Sequence, residues 1–279
     1  MKNGKSRRMS RIFREDQKTV IVPVDDSLIF GPTAGLHNIQ NKISNILDGN
    51  PDAILAHSGV FKNDHISNDV GRIINLSTST TNNRHTQKVV ATTIEAALLY
   101  DADCLAVHVN LSSTYEQEML VALGKIVAEA EKIALPVMAI VYPRKESESG
   151  KDDNYENVKN SDMESYTKLL CHCVRVARDL GADFVKTQYS GSSDSFKKVV
   201  EAACPIPIVI AGGEFRDSLE MLHIAEDALK AGCKGVSFGR NVFSRADSAV
   251  MINAISDIVH NSATAQSAFL KYQPSNNRE

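Results

Sequence analysis

The 279-residue sequence predicts an α/β fold, a (β/α)8 TIM barrel. Eight short apolar runs recur along the chain, and segments of helical period separate them. Alternation of this kind gives parallel strands joined by right-handed crossovers. Eight such units in about 250 residues suit a closed barrel better than the alternative, an open doubly wound sheet.

The runs are "TVIVPVD" (19–25), "DAILAHSG" (52–59), "GRIINLS" (71–77), "DCLAVHVN" (103–110), "PVMAIVYP" (136–143), "DFVKTQYS" (183–190), "PIVIAGG" (207–213) and "GVSFGRNVF" (235–243). Several are rich in Val and Ile, as expected of strands buried on both faces. Helical stripes lie between them. Leu36, Ile39, Ile43, Ile46 and Leu47 mark the first, closed by Gly49. Thr92 with Glu95 caps a short one. In 113–132 the stripe is Met119, Leu120, Leu123, Ile126, Val127 and Ala130, behind a Ser113/Glu116 capping box. In 161–180 a Ser161/Glu164 box precedes Tyr166, Leu169, Leu170, Cys173, Ala177 and Leu180, and Gly181 ends the helix. Three more stripes start near Phe196, Met221 and Met251.

The expected organisation is an N-terminal arm over 1–18, one barrel domain over 19–262 and a C-terminal tail over 263–279. The charged segment 144–160 follows strand five and is expected to be a structureless loop, either a lid or a solvated excursion. A net charge of −3 leaves no global basic field for nucleic acid or an anionic membrane. The arm is basic, with Lys2, Lys5, Arg7, Arg8, Arg11 and Arg14, but has no apolar core of a secretory signal. No apolar run reaches the roughly 18 residues of a membrane span. The five cysteines are expected to be buried thiols in a cytoplasmic protein, because their number is odd and no C-x-x-C occurs.

In a barrel of this kind chemistry sits at the C-terminal ends of the strands. Lys186 stands there, inside the apolar run Phe184-Val185-Lys186. It shares a face with Phe184 and Gln188. A lysine packed against the helices has no partner, so the inward face is expected. Buried, it is either a neutral amine able to attack a ketone or one half of an ion pair with Asp25 or Asp26. "AGGE" and "FGRN" end strands seven and eight with flexible backbone. Gly212, Gly213, Gly239 and Arg240 there suit a phosphate. His57 and His108 end strands two and four, as core histidines or as site residues. No His and carboxylate spacing marks a metal site.

These stretches, with "YPR" (142–144) and "GADFVKTQYSG" (181–191), resemble the archaeal-type class I aldolases. That family includes 2-amino-3,7-dideoxy-D-threo-hept-6-ulosonate synthases and fructose-bisphosphate aldolases. The resemblance runs from about residue 11 to residue 260. It implies a Schiff base on Lys186 with no cofactor or metal, proton transfer by Tyr142 and Asp25, and a homo-oligomer. Phosphate contacts fall to Gly212, Gly213, Gly239 and Arg240. Two departures bear on substrate. Relatives usually read Asp-His-Gly after strand one, where this chain has Asp25-Asp26-Ser27, and they often carry a lysine where it has Ser58. A site with fewer cations and one more carboxylate suits an ammonium better than a second phosphate. The expected partners are therefore a phosphorylated ketone and an amino aldehyde such as aspartate 4-semialdehyde, with Asp26 and His57 among the substrate contacts. The other readings are a fructose-bisphosphate aldolase, a lysine-dependent acyltransferase of the thiolase type, and a non-catalytic sugar-phosphate binder.

Overall fold

The computed structural model describes residues 3–82, 85–148 and 152–273. Eight parallel strands close into one barrel: β1 (Thr19–Pro23), β2 (Ala53–Ala56), β3 (Gly71–Asn75), β4 (Cys104–Leu111), β5 (Val137–Pro143), β6 (Phe184–Gln188), β7 (Ile208–Ala211) and β8 (Gly235–Ser237). Each of the eight apolar runs supplies one strand. They pair in sequence order, and β8 returns to β1.

The period of two in each strand sorts its side chains. Val20, Val22, Ile54, Ile74, Val107, Val109, Val141, Val185 and Ile210 join the apolar layer under the helices. Ile21, Ala53, Leu55, Ile73, Cys104, Ala106, Met138, Ile140, Phe184 and Val209 fill the barrel itself. The seam between β1 and β8 depends on Gly235, which pairs with Thr19 at φ +140°; a Cβ there would lie 1.9 Å from the Thr19 carbonyl oxygen.

The stripes form helices, with shifted starts. Asp162 rather than Ser161 caps Met163–Asp179, accepting from Ser165 N–H, because Ser161 closes the preceding helix Glu156–Ser161. Thr93 rather than Thr92 caps Ile94–Leu98. Glu116 accepts from Ser112 N–H, while Ser113 Oγ donates to Glu146 (3.0 Å).

That last contact corrects the expectation for 144–160. The described part is ordered into an antiparallel pair, Lys145–Glu146 with Asp152–Asp153, and the helix Glu156–Ser161. Glu146 pins it by accepting from Ser113 and from Thr114 N–H, both at 3.0 Å.

The segment read as an arm packs into the foot of the barrel. Ile12 and Phe13 are buried in the interior cluster, and Phe13 meets Phe184 edge to face at 5.2 Å. Its basic residues meet the aspartates that precede the strands: Lys5 with Asp183 (2.9 Å), Arg11 with Asp103 (3.3 Å) and Arg14 with Asp52. The same aspartates accept backbone N–H groups of neighbouring strands, from Val137, Arg72 and Val20. Within the tail, Ala265–Tyr272 is a helix packed beside Ser218–Lys230 and Ser248–Asn261. Lys2 and residues 274–279 lie outside the described residues. Cys104, Cys173 and Cys233 are buried, but Cys204 is exposed. Among the described residues no helix is long and apolar enough to cross a membrane.

Candidate active site

Above the apolar filling, the same inward positions turn polar at the C-terminal ends of the strands. Lys186 follows Phe184 by two residues on β6. Its strand partners are Ile140 on β5 and Val209 on β7, both interior residues. It is 7% exposed. No carboxylate among the described residues lies within 4 Å of its Nζ, so the ion-pair alternative is not what the fold builds. Burial lowers the pKa of the amine; Asp25 and Asp26 raise it again in part, and Arg240 opposes them.

Asp25 is buried just beyond β1 and accepts a hydrogen bond from Asn75 Nδ2 at 2.8 Å. The Asn75 amide is oriented by Ser77, whose N–H and Oγ–H both donate to Oδ1 at 3.1 Å. Ser77 Oγ in turn accepts from His108 N–H at 2.7 Å. A rigid chain of bonds from β4 thus aims one carboxylate oxygen of Asp25. Asn75 ends strand three, and sequence reasoning passed over it although its place at a strand end is the signal used elsewhere.

Asp26 starts the short helix Asp26–Phe30, and Arg240 Nε stands 3.5 Å from its Oδ2. Burial and the neighbouring Asp25 push its carboxyl pKa up, against Arg240, Lys186 and Lys88. His57 Nδ1 donates to the Asn75 carbonyl (3.0 Å), which leaves Nε2 buried without a partner.

Tyr142 lies on β5 two residues beyond Ile140 and packs edge to face against His108 at 5.0 Å. Burial pushes the phenol above its ordinary range, so it keeps its proton near neutral pH. His108 donates from Nε2 to Asn110 Oδ1 (2.9 Å). Burial first, then Lys88 and Arg144, hold it neutral.

Beyond β7 and β8 the backbone turns sharply. Gly213 has φ +68°, a left-handed conformation that favours glycine. Asn241, fully buried, ties the two turns together: Nδ2 donates to the carbonyls of Gly212 (3.1 Å) and Glu214 (2.8 Å), and Oδ1 accepts from Arg216 N–H. Gly212, Gly213, Gly239 and Arg240 therefore border one rigid turn pair, and Arg240 opens a helical turn (Arg240–Phe243) whose first N–H groups lack intrahelical acceptors.

Two cations that the sequence did not place in the site belong to it. Besides Arg240, the fold brings in Lys88 and Arg144, 6% and 8% exposed. Lys88 comes from the long connection after β3 and Arg144 from the end of "YPR". Asp152 is the leading opposite charge on both; beyond it, Lys88 also interacts with the charges of Asp25 and Asp26, and Arg144 with that of Asp26. No local pattern marked Lys88, because a lysine in a polar loop looks solvent-exposed until the loop folds inward. Among the described residues no group of three His, Cys, Asp or Glu could hold a metal ion.

Comparison with known proteins matches residues 19–245 to the DeoC/LacD family of aldolases. The chain belongs to that family. Among curated relatives, the 2-amino-3,7-dideoxy-D-threo-hept-6-ulosonate synthase of Halobacterium salinarum is 34% identical over 96% of both chains. The 2-amino-4,5-dihydroxy-6-oxo-7-(phosphonooxy)heptanoate synthase of Streptomyces griseus is 33% identical over 95% of this chain and 93% of its own. An archaeal fructose 1,6-bisphosphate aldolase superposes with a TM-score of 0.80 at 25% identity, covering 92% of this chain and 99% of its own. A further archaeal fructose-1,6-bisphosphate aldolase, solved with its catalytic lysine covalently bound to the carbinolamine of the substrate, superposes at 0.79 and 25% identity, over 91% of this chain and 99% of its own. As a DeoC/LacD-type barrel, the chain carries its inward lysine at the strand end where the fold concentrates chemistry.

Proposed function

We propose that this aldolase works through a Schiff base on Lys186, without a metal, joining a phosphorylated ketone to an aldehyde. The observation that carries this reading is the inward, desolvated Lys186 amine with no carboxylate within ion-pairing distance among the described residues, set among Asp25 and Tyr142. The neutral amine adds to the ketone carbon, and the carbinolamine loses water to give an iminium. Asp25, aimed by Asn75, takes the proton from the neighbouring carbon, and an enamine forms. The enamine carbon attacks the aldehyde, and protonated Tyr142 donates to the new alkoxide. Water then releases the product and restores the amine. Gly212, Gly213, Gly239 and Arg240 hold the phosphate, away from the reacting carbon.

The favoured acceptor is aspartate 4-semialdehyde, giving an amino-heptulosonate-type product; the relatives named as synthases support this, and so does the Asp25-Asp26 pair as a counter-charge for an ammonium. Fructose 1,6-bisphosphate is the second reading, favoured by the cations Lys88, Arg144 and Arg240 and by the superposition on fructose-bisphosphate aldolases. Borohydride reduction in the presence of dihydroxyacetone phosphate or deoxyketose phosphates, followed by peptide mapping, tests the chemistry. A reduced adduct on Lys186 is expected, and its absence with every ketone refutes the mechanism. Comparing amino and non-amino aldehydes in Asp26→Asn tests the acceptor; unchanged selectivity removes Asp26 from recognition.

A further inference from the structure

Gln188 ends β6 on the same inward face as Lys186. Phe184 fills the barrel and Val185 joins the layer under the helices. The alternation then continues. Thr187 donates its hydroxyl to the Val141 carbonyl (2.9 Å), and Gln188 stands beside Ala211 of β7, two residues beyond the interior Val209. Gln188 is half-buried, at the level where the apolar filling has given way to polar side chains. Its Oε1 accepts from the hydroxyl of Tyr166, a fully buried residue of the helix Met163–Asp179. Burial holds the Tyr166 phenol above its ordinary range, so it keeps the proton it donates. That bond fixes the amide. The oxygen end is taken, and Nε2 donates to no acceptor among the described residues.

An amide held by its oxygen offers donors only, so it selects a lone pair. Its place in the barrel names the lone pair. Lys186, two residues earlier on the same face, takes the carbonyl carbon of the ketone. The phosphate cradle lies to one side, beyond β7 and β8. Tyr166 lies to the other side, close enough to Tyr142 of β5 for the two phenols to interact electrostatically, after Glu156 and Cys173. A ketone phosphate on Lys186 thus runs across β6, with its phosphate toward β7 and β8 and its reacting carbon toward Tyr142. An oxygen carried by that carbon comes nearest Gln188 Nε2.

We propose that Gln188, held by Tyr166, donates a hydrogen bond to a hydroxyl on the reacting carbon of the ketone, so that the enzyme selects ketone phosphates hydroxylated there. This rests on the Schiff-base reading above and adds a specificity-determining residue to it. A ketone without that hydroxyl leaves the amide N–H unpaired in a partly desolvated site, which is the source of the discrimination. Tyr166 is a positioning residue, acting only through the amide.

The test needs no aldehyde. In deuterated water an enzyme-bound enamine exchanges the hydrogen of the reacting carbon with solvent, and NMR reads the rate. Dihydroxyacetone phosphate and hydroxyacetone phosphate form a matched pair that differs only in the hydroxyl on that carbon. The quantity read is the ratio of their kcat/KM values for exchange; the unequal acidities of the two carbons cancel when variants are compared. In Gln188→Met this ratio should fall ~3–10-fold against the wild-type chain, the size of one neutral hydrogen bond. Tyr166→Phe should lower it in the same direction and by less, and should add nothing in the Gln188→Met background. A tyrosine of merely structural value would lower both members alike. An unchanged ratio in Gln188→Met, or additive losses in the double variant, overturns the proposal. If Gln188→Met does not fold, Gln188→Leu and Tyr166→Phe decide by the same ratio. Borohydride trapping in the wild-type chain is read alongside. An adduct on Lys186 with an unchanged ratio sinks the Gln188 assignment alone, whereas no adduct with any ketone phosphate sinks the aldolase reading beneath it. Adducts with deoxyketose phosphates alone also overturn the assignment, because the hydroxyl is then not what admits the ketone.

Discussion

Position 186 places two demands on one residue. An apolar interior disfavours an ammonium, and the proposed chemistry requires the uncharged amine. Replacing Lys186 with Met should therefore raise stability, by about 1 kcal/mol or more, while abolishing borohydride trapping. Denaturant titration beside the trapping assay checks both signs; a destabilised Lys186→Met would mean that the amine is well satisfied in the fold. Asp25 gives a second test with a definite sign. Its charge raises the Lys186 pKa against the larger lowering by burial. In Asp25→Asn the pKa falls further, so the acid limb of the trapping rate moves to lower pH, while turnover drops because the base is gone. An acid limb moved to higher pH contradicts this electrostatic assignment. The lysine, its inward face and the flanking Asp25 and Tyr142 were legible in the sequence. The two-residue period fixes the face, and the strand-end rule fixes the level. Asn75 was legible by the same strand-end rule but was passed over, whereas Lys88 and Arg144 became site residues only through contacts between elements far apart in the chain.

Among elements, the N-terminal segment departs most from its sequence expectation. A basic run of 14 residues reads as a flexible or surface-packed arm because charge dominates its composition. Its partners are three aspartates at the starts of β2, β4 and β6, which no local pattern links to it. Phe13 then closes the foot of the barrel against Phe184. Phe13→Ala should cost about 3–5 kcal/mol, the usual range for a buried Phe truncated to Ala. The loss should appear as a lower denaturant midpoint with an unchanged slope; a cost below about 1 kcal/mol would show that the plug is dispensable. The ordering of 145–146 with 152–153 has the same origin. Glu146 looks like any loop carboxylate until β4 brings Ser113 and Thr114 beside it.

For the whole molecule, closure of the ring and burial of neutral bases set the response to mutation and pH. Gly235→Ala forces a Cβ into the Thr19 carbonyl at the last seam of the barrel, and should destabilise by about 3 kcal/mol or more. His85 and His108 are both held neutral in the folded chain, His85 with a pKa of about 2 against 6.5 unfolded. The unfolded chain therefore binds more protons below pH 6.5, and stability falls as pH drops from there. Denaturant midpoints measured between about pH 7 and pH 5.5, above the range of ordinary carboxylates, should decline toward acid. The decline should be shallower in His85→Gln, and an identical slope in that variant would remove His85 as a source.

The sequence by itself determined the barrel, the order of its eight strands, the inward lysine and the polar rim at the strand ends. All of these follow from periodicities of two and 3.6 residues and from the handedness of crossovers, which are local properties of an L-amino-acid chain. The tertiary structure alone decided which charges meet. It turned the basic arm inward onto the strand-start aspartates, and it gathered Lys88 and Arg144 at the mouth of the site. Electrostatic interaction depends on distance and burial in space, and spacing along the chain encodes neither.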